Sequence, residues 1–353
     1  MGNNASAPAT HSPPVQRSET SASALPPPPP TGMPPVPPQM KHEDIQVQMA
    51  EAKQSASQRS NNPGTYEELH KKTRELFPQV FEGGKIVFSK PLSSHFQITH
   101  NLQLANPMTS GYRFGATYAG TKQFSPQEAY PIMLGDTDAS GNLNANIIHA
   151  FTKNTLTRFV AQFQGDKTNT QMVTDYRGSC FTASFTAANP DLLNGSGIFV
   201  GHYLHRAASS VDLGAECMVQ RGGQVPGGQI AVLSLAARFN GDKRSLAVSL
   251  TPAGPAGPQA HLTYCHRIND HLQVGAELET MSGMGEAVAS VGYQQEIPSA
   301  GVNFKGQVDT TLTVQATLEK KLLESMVPIS FTLSAIGNPS KSDFKFGVGM
   351  MLG

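Results

Sequence analysis

The sequence predicts an all-β transmembrane barrel of about 19 strands, which comprises residues 83–353. Three observations lead to this fold class. Apolar and polar residues alternate with period two in short runs from residue 84 to the end of the chain. No stretch approaches the roughly 18 to 20 apolar residues of a transmembrane helix. The polar faces of the runs are rich in Gln, Asn, Thr, Ser and Gly, as expected of a water-filled lumen.

Composition excludes several classes of function. The chain has 26 Lys plus Arg and 26 Asp plus Glu, and only 15% of its residues are charged. Without a basic block, a nucleic-acid partner is not expected. The three cysteines (Cys180, Cys217 and Cys265) lie far apart and form no CxxC pair, which argues against both a disulfide framework and a zinc site.

The N-terminal arm, residues 1–60, is rich in Pro, Ser, Ala and Gln and contains LPPPPPTGMPPVPPQ. Such a segment has too little apolar surface to offset the entropy lost on ordering, so we expect a disordered arm with polyproline II character. No charged region followed by an apolar one is present at the N-terminus, and a secretory signal peptide is therefore not expected.

Residues 61–82 predict one amphipathic helix of about three turns and a linker. In TYEELHKKTRELFPQ, Thr65 and Glu68 have the spacing of a capping box, and Pro78 ends the helical pattern. The apolar residues at helical spacing are Tyr66, Leu69, Leu76 and Phe77.

Residues 83–353 contain the predicted strands, such as FQITHNLQL and LQVGAELE. In each run one face is apolar and the other is polar, which suits a soluble β-sandwich as well as a membrane barrel. Runs of roughly nine to eleven residues match a bilayer crossed at a tilt, and they favour the barrel.

No catalytic, cofactor-binding or metal-binding motif is predicted. In HYLH, His202 and His205 point to opposite faces of a strand, and GSGIFVG has the wrong spacing for a dinucleotide loop. Alternation places ten charged residues on polar faces: Asp212, Glu216, Glu277, Glu279, Asp309, Glu319, Arg113, Arg158, Arg177 and Lys305. These residues indicate either a hydrated lumen whose charges pair with one another or an acidic path for a cationic polypeptide.

Four long stretches resemble the channel-forming subunits of the translocase of the outer mitochondrial membrane. They are NPGTYEELHKKTRELFP, GYRFGATYAGTKQFSPQEAYPIMLGDTDASGNLNANIIHAF, DYRGSCFTASFTAANPDLLNGSG and ATLEKKL. The resemblance covers roughly residues 60–353 and extends more distantly to mitochondrial porin. It implies a nineteen-stranded barrel whose first and last strands pair in parallel, with the N-terminal helix inside the pore.

The resemblance also implies a function and partners. The barrel would pass unfolded precursor proteins from the cytosol to the intermembrane space without hydrolysing nucleotides, and it would need no cofactor. Basic presequences would be attracted weakly to lumenal carboxylates at many sites. The implied partners are receptor subunits, small single-helix subunits, a second copy of the barrel and the lipids of the outer membrane. A porin-type metabolite and ion channel is the alternative, and a soluble β protein that binds partners through the Pro-rich arm is a third hypothesis.

Four sets of residues receive roles from this resemblance. The acidic path comprises the six carboxylates named above, from Asp212 to Glu319. The pore helix presents Tyr66, Leu69, Lys72, Leu76 and Phe77. The C-terminal DFKFGVGMMLG resembles the β-signal read by the sorting machinery of outer-membrane barrels, through Lys345, Gly347, Met350 and Leu352. Parallel pairing of the terminal strands predicts a barrel seam at Ile86, Phe88, Phe346 and Val348, which would remove an exposed strand edge.

Overall fold

The computed structural model describes residues 61–106, 110–125, 128–191, 194–223, 225, 227–254, 257–322 and 328–353. The Pro/Ser-rich arm predicted for residues 1–60 lies outside the described residues.

Within these described residues, nineteen strands form a single sheet. Their bounds are β1 (Gly83–Pro91), β2 (Phe96–Leu104), β3 (Gly111–Ser125), β4 (Glu128–Asp138), β5 (Leu143–Ala150), β6 (Thr155–Gln164), β7 (Lys167–Arg177), β8 (Phe181–Asp191), β9 (Ser196–Ala208), β10 (Val211–Arg221), β11 (Gln229–Asn240), β12 (Arg244–Thr251), β13 (Gln259–Arg267), β14 (Leu272–Met281), β15 (Glu286–Ile297), β16 (Val302–Asp309), β17 (Val314–Leu322), β18 (Ile329–Asn338) and β19 (Asp343–Leu352). Each strand pairs antiparallel with the next along the chain.

The sheet closes on itself through a parallel pair between β1 and β19. In this seam Gly84 lies opposite Val348, and Phe88 lies opposite Leu352. Because the number of strands is odd, the first and last strands run in the same direction and can close the barrel only in parallel. The predicted fold class, strand count and parallel closure are confirmed.

The two faces of the sheet differ in polarity, as the alternating pattern predicts. Apolar side chains such as Phe346 and Leu333 point outward, where they are 70% and 52% exposed. Polar side chains such as Thr263 and Ser334 point inward and are buried. Among the described residues, none of the helices combines the length and the apolar character needed to cross a bilayer.

The segment before the barrel is less regular than predicted. It contains a 3₁₀ turn at Tyr66–Glu68 and a short helix, α1, at Lys71–Leu76. Leu69 and His70 separate these two elements. The single helix of about three turns is therefore wrong in detail. Isolated helices of this length are marginal in water, so contacts between side chains and the barrel wall decide the backbone conformation.

This segment crosses the barrel interior from one rim to the other. Asn62 contacts the hairpin between β7 and β8, at the rim where odd-numbered strands end. Phe81 lies beside β18 and β19 near the opposite rim, where β1 begins. The segment contacts the inward face of the strands, so the prediction of a helix inside the lumen is confirmed. The first described residues and the C-terminus consequently lie at the same rim.

Candidate functional site: the lumenal segment and the wall beneath it

Residues 62–82, called here the lumenal segment, are held at their N-terminal end by backbone carbonyls of the wall. The amide of Asn62 donates to the carbonyl oxygens of Gly178 and Phe181, at 2.8 and 3.0 Å. Its own oxygen accepts hydrogen bonds from the Thr182 hydroxyl and from the Gly64 backbone N–H. One side chain thus joins the segment to the β7–β8 hairpin and shapes the turn that follows it.

A buried ion cluster lies next to this anchor. Asp212 on β10 is 1% exposed. Its carboxylate accepts charged hydrogen bonds from Arg206 Nε at 2.9 Å and from Arg238 Nη2 at 2.7 Å. Asn240 donates a further hydrogen bond to the same carboxylate. Arg238 also donates to the carbonyl oxygen of Pro63. The carboxylate therefore orients an arginine that holds the lumenal segment.

Glycines on the inner wall make room for the apolar side chains of the segment. A Cβ placed on Gly214 would come within 3.1 Å of the Tyr66 ring. On Gly275 it would come within 3.0 Å of Leu76, and on Gly292 within 2.7 Å of the Phe77 ring. These three glycines belong to β10, β14 and β15, so together they form a groove that follows the segment across the wall. A larger residue in the groove would force the segment away from the wall.

Tyr66 stacks on one histidine–carboxylate pair of the wall. Its ring lies 5.0 Å from that of His202, whose Nε2 is 2.9 Å from Glu216 Oε2. The hydroxyl of Ser234 donates to the other oxygen of Glu216. Burial, together with the charge of Glu216, raises the pKa of Tyr66 to about 12. The phenol therefore stays neutral at physiological pH.

His70 stacks on a second pair of the same kind. The ring centroids of His70 and His261 are 3.9 Å apart, and His261 Nε2 lies 2.6 Å from Glu277 Oε1. The ring nitrogens of His70 hydrogen-bond to Thr263 and Ser249. Burial and the neighbouring His261 lower the pKa of His70 to about 4. His70 is therefore an uncharged polar contact at neutral pH.

Charged side chains hold the C-terminal end of the segment. Lys305 on β16 donates to the carbonyl oxygen of Glu75, just before the end of α1. The backbone N–H of Phe81 donates to the Ser334 hydroxyl at 2.9 Å, and Glu82 pairs with Lys345 at 3.1 Å. The segment is thus fixed to the wall at both ends as well as along the groove.

The inner face of β4 to β7 carries another group of side chains. Between polar positions it presents apolar residues to the lumen, which are Ile132, Leu134, Ile148, Leu156, Val160 and Val173. An ion pair between Arg113 and Asp136 lies beside them, with 3.7 Å between Nη1 and Oδ2. This part of the lumen therefore combines apolar contact with charge.

Comparison with known proteins assigns the chain to a family. The sequence profile described as "Eukaryotic porin" matches residues 62–347, which includes the lumenal segment and nearly all of the barrel. The chain belongs to the eukaryotic porin family.

Individual proteins similar to this porin narrow the comparison within the family. It is 41% identical over 319 residues to "Mitochondrial import receptor subunit TOM40 homolog 2" of Drosophila melanogaster, covering 90% of both chains. It is 44% identical to the TOM40 homolog of Xenopus tropicalis, covering 85% of this chain and 87% of that one. Identity to the human TOM40 homolog is 43%, with 83% and 78% covered. Among solved structures, a mutant of Rh. blastica porin is 15% identical with a TM-score of 0.41, covering 67% of this chain and 95% of that one.

The six carboxylates predicted to line an acidic path have different surroundings in the porin barrel. Glu216, Glu277 and Glu279 are partly exposed on the inner wall beside histidines. Glu319 lies on the inner face of β17, diagonal to Lys305. Asp309 accepts hydrogen bonds from Thr311 and Thr313 in the β16–β17 turn. Asp212 is enclosed by the two arginines, so we leave it out of the proposed cargo path.

The predicted helix residues lie as the amphipathic pattern suggests. Leu69, Leu76 and Phe77 are buried against the wall. Lys72 is exposed and donates to Asn240 at 2.9 Å. Partial desolvation of its amine beside the wall, followed by the charge of Arg238, lowers the pKa of Lys72.

The predicted β-signal and seam residues share β19 and β1. Met350 pairs with Ile86 and Leu352 with Phe88, and all of these side chains point outward. Phe346 precedes the paired stretch, which begins at Gly347. Gly347 and Lys345 point inward, toward Phe81 and Glu82 respectively. Their reading by a sorting machinery stays a prediction.

Sequence reasoning missed the wall residues that hold the segment. His70 and His261 are 191 positions apart, and Arg238 meets Pro63 only through the closed sheet. The inward position of Gly275 and Gly292 could be read from the alternation, because both fall on polar faces. Nothing in the pattern showed which of these glycines the segment would cover.

Proposed function

We propose that this barrel is a protein-conducting channel of the mitochondrial outer membrane, passing unfolded precursor proteins from the cytosol to the intermembrane space. The observation that carries the proposal is the 41–44% identity, over most of the chain, to proteins named as mitochondrial import receptor subunits. A water-filled, closed barrel is the architecture that such a function requires, because an unfolded polypeptide must cross without exposing its backbone to lipid.

Lumenal carboxylates provide the attraction for cargo. Presequences are basic and amphipathic. Glu277 and Glu279 offer two partly exposed carboxylates at adjacent inward positions of β14. Ion pairs in contact with water are worth about 0.2–1 kcal/mol each, so cargo is held at several weak sites and is released readily. A stronger single site would retain the cargo and block the channel.

The apolar residues on the inner face of β4 to β7 extend this scheme to other cargo. Ile132 and Ile148 are directly opposite each other, and Val160 and Val173 lie on the next two strands. Such side chains can contact apolar stretches of an unfolded chain, each burying only part of its surface. Precursors without a basic presequence would use this side of the lumen.

The proposed surroundings of the barrel follow from its apolar outer face and from the resemblance described above. Outer-membrane lipids would cover the exposed apolar side chains of the barrel. Receptor subunits, small single-helix subunits and a second copy of the barrel would bind the same outer surface or its rims.

Charge reversal on β14 tests the proposal. In reconstituted barrels, Glu277→Lys with Glu279→Lys should weaken binding of a presequence peptide by about five- to thirtyfold, equivalent to about 1–2 kcal/mol. The matched control is Asp242→Lys with Asp270→Lys, which makes the same change in net charge in two hairpins at a rim. Unchanged affinity in the first variant, or equal loss in both, would count against a cargo path along β14.

A porin-type metabolite and ion channel is the second candidate, since the family also includes porins by its description. Recording from planar bilayers separates the two functions. A protein-conducting channel should be blocked by micromolar presequence peptide and not by a scrambled peptide of equal charge without an amphipathic pattern. Equal block by both peptides, or by neither, would favour the metabolite channel.

A further inference from the structure

Three metal-ligating side chains meet on the inner face of β13 and β14. His261 comes from β13, and Glu277 and Glu279 come from β14. The register places His261 opposite Glu279, and Glu277 occupies the adjacent inward position on the same strand. Each side chain offers one ligand atom, and these atoms all lie within 4.8 Å of one another. The backbone of two paired strands thus holds a mixed histidine–carboxylate group in place.

The separations of the ligand atoms suit a small divalent cation. His261 Nε2 lies 2.6 Å from Glu277 Oε1 and 3.9 Å from Glu279 Oε1. Four ligands placed tetrahedrally around Zn²⁺ at its usual distances are about 3.3 Å apart. The two observed separations bracket that value. Bringing each of these two separations to that value needs a shift of less than about 1 Å, within the range of side-chain torsions, and the two carboxylate atoms lie within 4.8 Å of each other.

The chemistry of the donors points to zinc among the common ions. Imidazole nitrogen suits Zn²⁺, whereas Mg²⁺ and Ca²⁺ prefer six or more oxygen ligands. One histidine and two carboxylates supply three ligands and leave a fourth position for water.

His70 supports the site from the lumenal segment. Its ring stacks on His261 with centroids 3.9 Å apart, and its nitrogens are occupied by Thr263 and Ser249. Stacking at this distance fixes the plane of the His261 ring. The neutral imidazole is the form that binds metal. The side chains of His261 and Glu277 are 21% and 19% exposed, so an ion can enter from the lumen.

We propose that His261, Glu277 and Glu279 form a Zn²⁺ site on the lumenal wall, roofed by His70 and open to water at one position. Occupation would remove the negative charge of this part of the wall and tie β13 to β14 beneath the lumenal segment. Metal binding is measured without cargo, so its outcome is separate from that of the transport proposal.

The His202–Glu216 pair supplies a matched control within the same barrel. It has the same contact between imidazole and carboxylate, at 2.9 Å, and it is also covered by a ring of the lumenal segment. Within the described ranges, the groups of three or more candidate ligands do not include this pair. It should therefore bind zinc much more weakly than the site on β13 and β14.

The experiment titrates Zn²⁺ into the full chain, untagged and folded in detergent, with Cys180, Cys217 and Cys265 changed to serine. Competition with a chromophoric chelator should report one tight equivalent of metal. Glu279→Gln should weaken binding at least about tenfold, because it removes one ligand and keeps the contact between His261 and Glu277. Glu216→Gln should leave the affinity within about twofold of the parent, as expected for a distant change.

Several results would overturn the assignment. They are the absence of one tightly bound equivalent of Zn²⁺, an equal loss of Zn²⁺ affinity in Glu216→Gln and Glu279→Gln, or displacement of the ion by millimolar Mg²⁺ or Ca²⁺. Far-UV circular dichroism confirms that each variant keeps its β-structure. If Glu279→Gln does not fold, the ¹⁵N chemical shift of His261 Nε2 in the parent protein decides. That shift should change on addition of one equivalent of Zn²⁺, and no change would refute the site.

Discussion

Substitution of Gly275 on β14 should detach the lumenal segment without weakening the barrel. A Cβ at this position would lie 3.0 Å from Leu76 Cδ1 and 3.1 Å from Thr73 Cγ2. Carbon atoms in favourable contact are about 3.5–4.0 Å apart, so α1 would have to withdraw by roughly 0.5–1 Å. The main chain on the far side is less constraining, because the carbonyl oxygen of Tyr264 is 3.7 Å away.

The expected magnitude follows from overpacking. Extra methyl groups in a well-packed site cost about 1–3 kcal/mol, which corresponds to a shift of about 5- to 150-fold from docked to undocked segment. Alanine is also better than glycine in a strand interior by about 0.5–1 kcal/mol. The Gly275→Ala barrel should therefore unfold at the same temperature as the parent or slightly higher. Loss of docking and gain of barrel stability have opposite signs, so they can be told apart.

Amide hydrogen exchange read by mass spectrometry measures this effect. Peptides covering residues 66–77 should exchange about 5- to 150-fold faster in Gly275→Ala, while peptides from β3 to β6 keep their protection. Gly115→Ala is the matched control, because Gly115 is also inward-facing and its Cβ would meet its nearest neighbour at 3.6 Å. Unchanged exchange in Gly275→Ala, or equal acceleration in both variants, would refute the groove as the determinant of docking.

Three further predictions concern the ends of the segment and its pH dependence. Asp212→Asn should destabilise the protein by about 3–5 kcal/mol, seen as a lower unfolding temperature, because it removes the carboxylate that pairs with buried Arg238 and half-buried Arg206; a shift as small as that of a surface Asp→Asn change would contradict this. Docking should be strongest above pH 6.5, the ordinary pKa of histidine, and should weaken as the pH falls towards about 4, because undocked His70 binds a proton that the docked side chain does not. Segment exchange, corrected for intrinsic rates, should therefore accelerate from pH 7 to pH 5, and His70→Gln should remove that acceleration if His70 is its source. Gly347→Ala should impair assembly in organelles and also folding in detergent, because its Cβ would meet the Phe81 carbonyl oxygen; Leu352→Ser should impair assembly alone, and normal assembly of Leu352→Ser would count against the β-signal.

Local pattern was sufficient to predict the barrel but not the path of the segment inside it. In LQVGAELE the alternation already separates outward Leu272 and Leu278 from inward Glu277, and the structure keeps that division. The same alternation, repeated in every strand, set the count of nineteen. Side chains two residues apart lie on the same face of a strand, so the sequence displays the two faces directly.

The helix prediction failed in detail for the complementary reason. Thr65 and Glu68 do approach each other, with 3.4 Å between the Thr65 nitrogen and the Glu68 carboxylate. Beyond that first turn, the conformation depends on where Tyr66 and His70 find stacking partners on the wall. Those partners are more than 130 residues away along the chain, so no local signal contains them.

By itself, the sequence determined the class of the fold, the faces of its strands and the apolar or charged character of each position. These properties follow from the type of each residue and from the alternation of side chains along a strand. Only the tertiary structure decided which of the lumenal carboxylates are buried. Closure of the sheet enclosed Asp212 between two arginines and left Glu279 with its side chain 39% exposed, although both residues read identically as inward carboxylates. The physical reason is that a charge in a lumen is defined by its neighbours across the sheet, and strand pairing selects those neighbours only when the barrel closes.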